Sequence, residues 1–189
     1  PDPADPTRYT AFATQAGLGM PTRDYYLREG EQYDSYRTPN RDYIVTLPRL
    51  AGIADGEDKA DAIIALERRI AEAHWTPERQ RDVRQIYNPM NREQLDALAP
   101  QFAWTESLAQ LGLGEVPTIV AGETTAITAI GAMLDSVPLQ TWKDWMAFQF
   151  LSANAAYLPR AFDQPNFTFF QATLRGVEQP RARWKRGTA

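Results

Sequence analysis

The stretch GLGMPTRDYYL, residues 17–27, constrains the fold of this chain most strongly. Its two glycines and its proline predict a tight turn, yet two tyrosines follow at once, and tyrosines bury large apolar surfaces. The stretch therefore either lines a site or fastens a turn to the body of the protein. Large and small side chains alternate over residues 9–14, which predicts a short strand before the turn. We interpret the stretch as a turn in which Arg23 and Asp24 pair or cap locally while the tyrosines pack against helices.

Most of the remaining chain carries helix signals. Apolar residues at a 3.6-residue spacing predict a mainly α fold of about seven helices with one or two short strands, forming a single helical domain over residues 1–189. The clearest helix spans residues 55–75, with isoleucines on its inner face and Glu67 and Arg68 flanking that face. The sequence 116–121, VPTIVA, predicts a second short strand. Five residues occupy positions typical of helix N-caps: Thr38, Thr76, Asn91, Thr105 and Asn166.

Composition excludes several classes of function. The 189 residues include no cysteine, so disulfides and thiolate chemistry are absent from this chain. A formal net charge of −4 gives no basic surface for nucleic acid. No apolar run is long enough to cross a membrane. The sequence opens PDPADPTRY without a methionine and closes beside the basic-aromatic cluster at 181–186, so we interpret it as a piece of a longer protein with that cluster at an internal interface.

Residues able to perform chemistry are few. A zinc site needs three or four ligands, and the chain offers one histidine, His74, near the predicted end of a helix, where a structural role is favoured. No serine lies in a G-x-S-x-G motif, and neither Gly-Leu-Gly triplet has the pattern of a phosphate-binding loop. Trp142, Trp145 and Phe148 share a helix face that indicates core packing rather than a ligand groove. Asn166 begins a glycosylation sequon, which is weak evidence at a helix start.

Four stretches, taken in order, resemble the neprilysin and endothelin-converting-enzyme group of zinc metallopeptidases. They are QAGLGMPTRDYYL at 15–27, AHWTPERQRDVRQIYNPMNREQL at 73–95, LAPQFAWTESL at 98–108 and FTFFQATLRGVEQPRARWKR at 167–186. Met20 and Pro48 depart from the family pattern. The residues that match the family signature, all expected to be structural, are Gly17, Gly19, Pro21, Arg23, Asp24, Tyr25, Tyr26, Trp75, Arg81, Asp82, Asn88, Trp104, Gly176, Arg183 and Trp184.

The resemblance implies a location within such an enzyme. These stretches belong to the N-terminal helical part, which caps the catalytic domain of the same polypeptide and helps to enclose a cavity that admits peptide substrates. The family's H-E-x-x-H motif, whose glutamate activates a zinc-bound water, is absent here, so the resemblance assigns no catalytic or metal residue to this chain and places zinc in the full-length protein. It also implies an exported parent protein, and the lack of cysteines fits a bacterial member.

Two functions remain open at this stage. The first is the helical cap and substrate-gating part of a zinc metalloendopeptidase, which would not be catalytic alone. The second is a stand-alone peptide- or protein-binding helical module without enzymatic activity. Under the first, a surface meant for the rest of the enzyme should be exposed, and we expect it on faces drawn from residues 9–27 and 139–186.

Overall fold

A computed structural model describes residues 1–54 and 56–180. This part of the chain contains ten α-helices, seven of them at least seven residues long, and a three-stranded sheet, which confirms the mainly α prediction. The elements in chain order are β1 (Phe12–Ala13), α1 (Asp24–Leu27), α2 (Glu31–Leu50), α3 (Gly56–Ala73), α4 (Pro77–Gln80), α5 (Val83–Ile86), β2 (Asn88–Met90), α6 (Arg92–Leu98), α7 (Trp104–Gln110), β3 (Ile119–Ala121), α8 (Thr124–Ser136), α9 (Leu139–Asn154) and α10 (Arg160–Phe167). Short 3₁₀ turns cover Pro100–Phe102 and Ala155–Tyr157, and a π-helical segment covers Thr168–Thr173.

The described residues form two compact units, each built from two separate pieces of chain. The first unit combines residues 1–18 with 69–139 and contains the sheet, whose strand order is β1-β3-β2. β1 runs parallel to β3, with Phe12 opposite Val120, and β2 runs antiparallel to it, with Met90 opposite Ile119. All three residues of β3 are buried, as expected for a central strand, and the apolar core beside it is formed by Leu95, Ala99, Trp104, Leu108, Ile119, Ala121 and Ile127.

The second unit combines residues 19–68 with 140–180 among those described. Its centre is the ring of Tyr43, which stacks on Phe169 at 5.3 Å between centroids and meets Phe148 edge-on at 5.8 Å. Such aromatic contacts add to the burial of apolar area. Apolar residues at helical spacing on α2 and α3, including Ile44, Leu47 and Ile63, complete the core.

The prediction that Thr38 caps a helix was wrong. α2 begins at Glu31, so Thr38 and Pro39 lie inside a 20-residue helix, and Pro48 is a second internal proline. Proline removes one backbone hydrogen bond and strains the preceding turn, so local sequence favours a break at both positions. Packing overrides that preference, because Asn40, Tyr43, Ile44 and Leu47 on this helix are all buried.

Other predicted boundaries also shift. Thr76 caps a helix as predicted, with its hydroxyl accepting from the Arg79 N–H, but that helix ends after one turn and Asp82 caps a separate one. Residues 88–90 form strand β2, for which the sequence predicts no strand, because pairing with β3 satisfies their backbone groups. Thr105 lies within α7 and Asn166 within α10, so neither is the N-cap that the sequence indicated. The Asn91 prediction was confirmed, with a complete capping box to Gln94.

Candidate functional site

The signature turn is anchored in the second unit by a buried glutamate. The Tyr26 hydroxyl accepts a hydrogen bond from the Met20 N–H at 2.8 Å and donates one to Glu67 Oε2 at 2.7 Å. Gln149 Nε2, from α9, donates to Glu67 Oε1 at 2.9 Å. The turn, α3 and α9 therefore meet at one carboxyl group, which we call the Glu67 centre: Gly19, Met20, Tyr26, Glu67 and Gln149.

Glu67 corrects the sequence prediction that it flanks the apolar face of α3. Its side chain is fully buried. Burial raises the pKa of the Glu67 carboxyl to about 7, and the hydrogen bonds from Tyr26 and Gln149 limit the rise. Burial and the neighbouring carboxylate raise the pKa of the Tyr26 hydroxyl far above its usual range. The sequence did carry a signal, since position 67 lies four residues after Ile63 and three before Ile70, both buried.

Each glycine of the turn has a different role. Gly17 adopts a φ of 104°, a left-handed conformation that favours glycine. Gly19 is required by space instead, because a Cβ atom at this position would lie 3.1 Å from both carboxyl oxygens of Glu67. The Gly-Leu-Gly triplet therefore brings the backbone close to a carboxyl group, which explains its presence without a phosphate ligand.

The residues just before the turn belong to a second hydrogen-bond centre, in the first unit. Gln15 Oε1 accepts from the Trp75 N–H at 2.7 Å, and Gln15 Nε2 donates to the Trp75 carbonyl at 3.2 Å. The Trp75 indole N–H donates to Thr125 Oγ1 at 2.6 Å, while the Arg79 guanidinium lies 3.4 Å from the centre of the indole ring. We call this set the Trp75 centre: Gln15, Trp75, Arg79 and Thr125.

Glu123 extends this arrangement within the first unit. It is buried, and its carboxylate accepts from the Gln15 N–H at 2.9 Å and from Gln80 Nε2 at 2.7 Å. Its two donors come from residues 108 and 43 positions away along the chain. Sequence reasoning missed Glu123, Thr125 and Gln149, because single polar residues within helical patterns carry no signal that distinguishes a buried partner from a solvated one.

Several of the remaining signature residues make contacts with other parts of the described chain. Asp24 pairs with Arg28 at 3.6 Å, and the Tyr25 ring contacts those of Tyr33 and Tyr36. Asn88 Nδ2 donates to the Ala121 carbonyl at 2.9 Å, and the Trp104 indole donates to the Ala99 carbonyl at 2.9 Å. The other placements are exposed Pro21, Arg23 before α1, Arg81 and Asp82 between α4 and α5, and Gly176 at a φ of 69° after the π-helical segment. Arg183 and Trp184, with the rest of the 181–186 cluster, lie outside the described residues.

The groups considered for catalysis have other partners. His74 Nε2 lies 3.1 Å from the Ala16 carbonyl oxygen, which fits the structural role predicted for it. Ser152 Oγ lies 3.1 Å from the Tyr43 hydroxyl, and the Ser107 hydroxyl donates to the Phe102 carbonyl. Within residues 1–54 and 56–180, no cluster of three or more histidine or acidic side chains could hold a metal ion. No helix in this part is both long and apolar enough to span a membrane.

The sequon asparagine is engaged inside the second unit. Asn166 Nδ2 donates to the Tyr43 hydroxyl at 2.9 Å, and the side chain is half-buried. A glycan on this nitrogen would displace that hydrogen bond, so the folded chain does not present Asn166 as an acceptor.

One face of α9 is exposed and apolar. Trp142 and Phe148 are buried, in agreement with the predicted core packing, although they point to different sides of the helix. On the side away from Phe148, Met146, Phe150 and Tyr157 are 62%, 68% and 83% exposed, and Lys143 and Ala153 on the same side are exposed as well. We call these five residues the α9 stripe. The stripe falls within residues 139–186, and Tyr9 and Phe12 are exposed within 9–27. That such side chains form a surface for the rest of the enzyme stays a prediction.

Comparisons with known proteins agree on one family. The profile described as peptidase family M13 matches residues 1–189. Rat endothelin-converting enzyme 1 is 24% identical over 178 residues, 90% of this chain and 23% of that protein, and the human enzyme is 25% identical over 178 residues. The cryo-EM structure of Mycobacterium tuberculosis zinc metalloprotease Zmp1 in its open state superposes with a TM-score of 0.85 at 30% identity, over 92% of this chain and 27% of that one. A partially open state of the same protease gives a TM-score of 0.82 at 32% identity, over 100% of this chain and 29% of that one.

These relatives are much longer than the sequence described here, which spans about a quarter of the length of each. The agreement nevertheless extends along the whole sequence, and the four stretches that carry the resemblance fall inside the matched range. They include the turn held by Glu67 and the segment that supplies Trp75. The chain therefore belongs to peptidase family M13.

Proposed function

We propose that residues 1–189 form a single non-catalytic helical domain of an M13 zinc metalloendopeptidase, and that the zinc-binding catalytic domain lies elsewhere in the same polypeptide. One observation carries this proposal: the chain matches the family along its full length but corresponds to about a quarter of a zinc metalloprotease of known structure. The signature residues act as structural anchors of this domain rather than as catalytic groups.

Zinc is assigned to no residue of this chain. The described residues offer no suitable cluster of ligands, and His74 has its Nε2 at the Ala16 carbonyl oxygen. The proposed role of residues 1–189 is to shape the enclosure in which peptides are cleaved. The Glu67 and Trp75 centres support that role, because a wall that selects substrates by size must hold its helices in fixed positions.

The proposed gating role concerns which substrates reach the catalytic domain. A helical wall that excludes water and folded proteins would admit flexible peptides only. We also propose that the complete protein is exported and bacterial, as the resemblance implies and the Mycobacterium tuberculosis relative supports. Nucleic acid and membrane lipid are not among the proposed partners of this segment.

Peptidase assays on the complete polypeptide and on the 189-residue chain test this function. We expect the complete polypeptide to hydrolyse a short quenched-fluorescent peptide, to lose that activity in EDTA, and to leave a folded globular protein intact. We expect the 189-residue chain to cleave neither substrate and to bind no stoichiometric zinc by calorimetry. EDTA-sensitive cleavage by the 189-residue chain would overturn the proposal. A complete polypeptide that binds the peptide but does not cleave it would favour the stand-alone binding module instead.

A further inference from the structure

The α9 stripe has the spacing of a helix-packing seam. Lys143, Met146, Phe150, Ala153 and Tyr157 follow one another at intervals of three, four, three and four residues. At 3.6 residues per turn this spacing keeps all five on one side of α9 and of the 3₁₀ turn that continues it. The opposite side of the same helix carries buried Phe148, and buried Trp142 lies one turn before Met146 at the edge of the stripe. α9 is therefore apolar on two sides, and within the described residues the stripe side is the exposed one.

Two apolar faces on one helix indicate a second layer of packing. An amphipathic surface helix needs one apolar stripe and a polar outer face. Met146 and Phe150 instead place large apolar side chains outward at 62% and 68% exposure, one helical turn apart. Leaving both in water forgoes the free energy that burying them would supply, and contiguous exposed apolar surface of this kind marks an interaction site.

The shape of the stripe identifies the kind of partner. It is about one side chain wide and, at about 1.5 Å per residue, roughly 20 Å long. A second helix with apolar residues at the same three-four spacing matches such a row by inserting its side chains between those of α9. Lys143, exposed at one end of the row, adds a charge requirement that an acidic side chain on the partner would meet.

We propose that the α9 stripe packs against an amphipathic helix supplied by the remaining polypeptide of the same peptidase, with an acidic residue facing Lys143. This inference rests on the proposed function, because it takes the partner helix from the rest of that enzyme. The relatives supply the necessary length, since about three quarters of each lies outside the matched region.

Cysteine labelling in the complete polypeptide tests the proposal, helped by the absence of cysteine from residues 1–189. Met146→Cys and Phe150→Cys are the stripe variants, and Leu111→Cys is the control, because Leu111 is 72% exposed and lies in the first unit. We expect a maleimide to react at positions 146 and 150 at least about tenfold more slowly than at 111, because a packed side chain reacts only after local opening. The slow labelling at positions 146 and 150 should persist when the protein is diluted, because a partner helix in the same polypeptide does not dissociate.

Two results would overturn the proposal. Labelling at 146 and 150 as fast as at 111 would show that the stripe stays exposed, and protection that disappears on dilution would show that a second copy covers it. Peptidase activity of each variant is measured in parallel. If a variant cleaves the peptide in an EDTA-sensitive way but is labelled fast, the partner helix is rejected and the proposed function stands. The proposed function itself is tested separately, by the peptidase activity of the unsubstituted enzyme.

Discussion

Glu67 is an ionisable group enclosed by the apolar residues of a helical unit, and its position makes the stability of the fold depend on pH. Its hydrogen bonds include those from Tyr26, the Gly19 backbone and Gln149, all uncharged donors. A buried carboxylate with no neighbouring cation among its hydrogen-bond donors is costly to ionise, which is why its pKa rises. The signature turn is thus tied to a proton-binding group.

The first prediction concerns this pH dependence. The pKa of Glu67 is about 7 in the folded chain and 4.5 ordinarily, so the folded state holds the proton more tightly. Its contribution to stability is complete below about pH 4.5 and declines as pH rises to about 7, by up to about 3 kcal/mol. We expect Glu67→Gln to remove this decline in urea unfolding measured from pH 5 to 8.

Glu78→Gln is the matched control for that measurement. Hydrogen bonds at the start of α4 lower the pKa of Glu78, so its carboxylate stays ionised throughout the window and its replacement should leave the slope unchanged. Equal slopes for wild type and Glu67→Gln would show that Glu67 does not titrate in this range.

The second prediction concerns the space beside Glu67. Gly19→Ala places a methyl group 3.1 Å from both carboxyl oxygens, in a site where the side chain is held from two directions. We expect a loss of about 1–3 kcal/mol in the free energy of unfolding, as for other overpacked interiors. Gly114→Ala, whose Cβ would meet Ala109 at an ordinary 3.5 Å, should change stability by much less. Comparable urea midpoints for the two variants would contradict the steric role of Gly19.

At the scale of elements, the best-predicted features are those whose physical cause is local. The capping box at Asn91 follows from a few neighbouring residues, and Asn91 was predicted as an N-cap. The course of α2 through two prolines depends on packing, so local propensity wrongly placed its start at Thr38. The pairing of β2 with β3 also depends on residues distant in sequence and was not predicted. Glu67 was misplaced for the same reason, since its donors come from 41 and 82 positions away.

The third prediction separates a real cap from an apparent one. Asn91→Ala removes the acceptor for the Gln94 N–H and should lower stability by about 1 kcal/mol. Thr105→Ala replaces an exposed residue inside α7 with a better helix former, so it should leave stability unchanged or slightly increased. Chemical unfolding of both variants measures the difference, and an equal loss in the two would argue against the capping role of Asn91.

At the scale of the whole molecule, the described part of the chain combines buried, hydrogen-bonded carboxyl groups with an exposed apolar surface. The two hydrogen-bond centres give each unit its own polar anchor, while the α9 stripe leaves Met146 and Phe150 in water. Family membership followed from four short stretches read in order, and the structural role expected of their residues stays a prediction. The sequence located the candidate interface only to within residues 139–186. It could not identify the exposed face of α9, because that depends on which residues pack against the helix.

The fourth prediction concerns that surface in the 189-residue chain. We expect the dye ANS to bind the folded chain and the double variant Met146→Ser/Phe150→Ser to reduce its fluorescence at least about twofold, since the apolar patch is removed. Leu111→Ser changes an equally exposed but separate leucine and should have little effect. A reduction of the same size in both variants would show that the dye does not report on the stripe.

The hydrogen bond between Gln149 and Glu67 also constrains the order of events during synthesis. The two residues are 82 positions apart, and the intervening chain supplies most of the other unit. At about 5–20 residues per second, a ribosome needs roughly 4 to 16 s to travel that distance. During that interval Glu67 has been synthesised but Gln149 has not. Until α9 emerges, the Glu67 carboxyl has its Tyr26 partner but lacks the hydrogen bond from Gln149, so the complete Glu67 centre forms only after residue 149 has been synthesised.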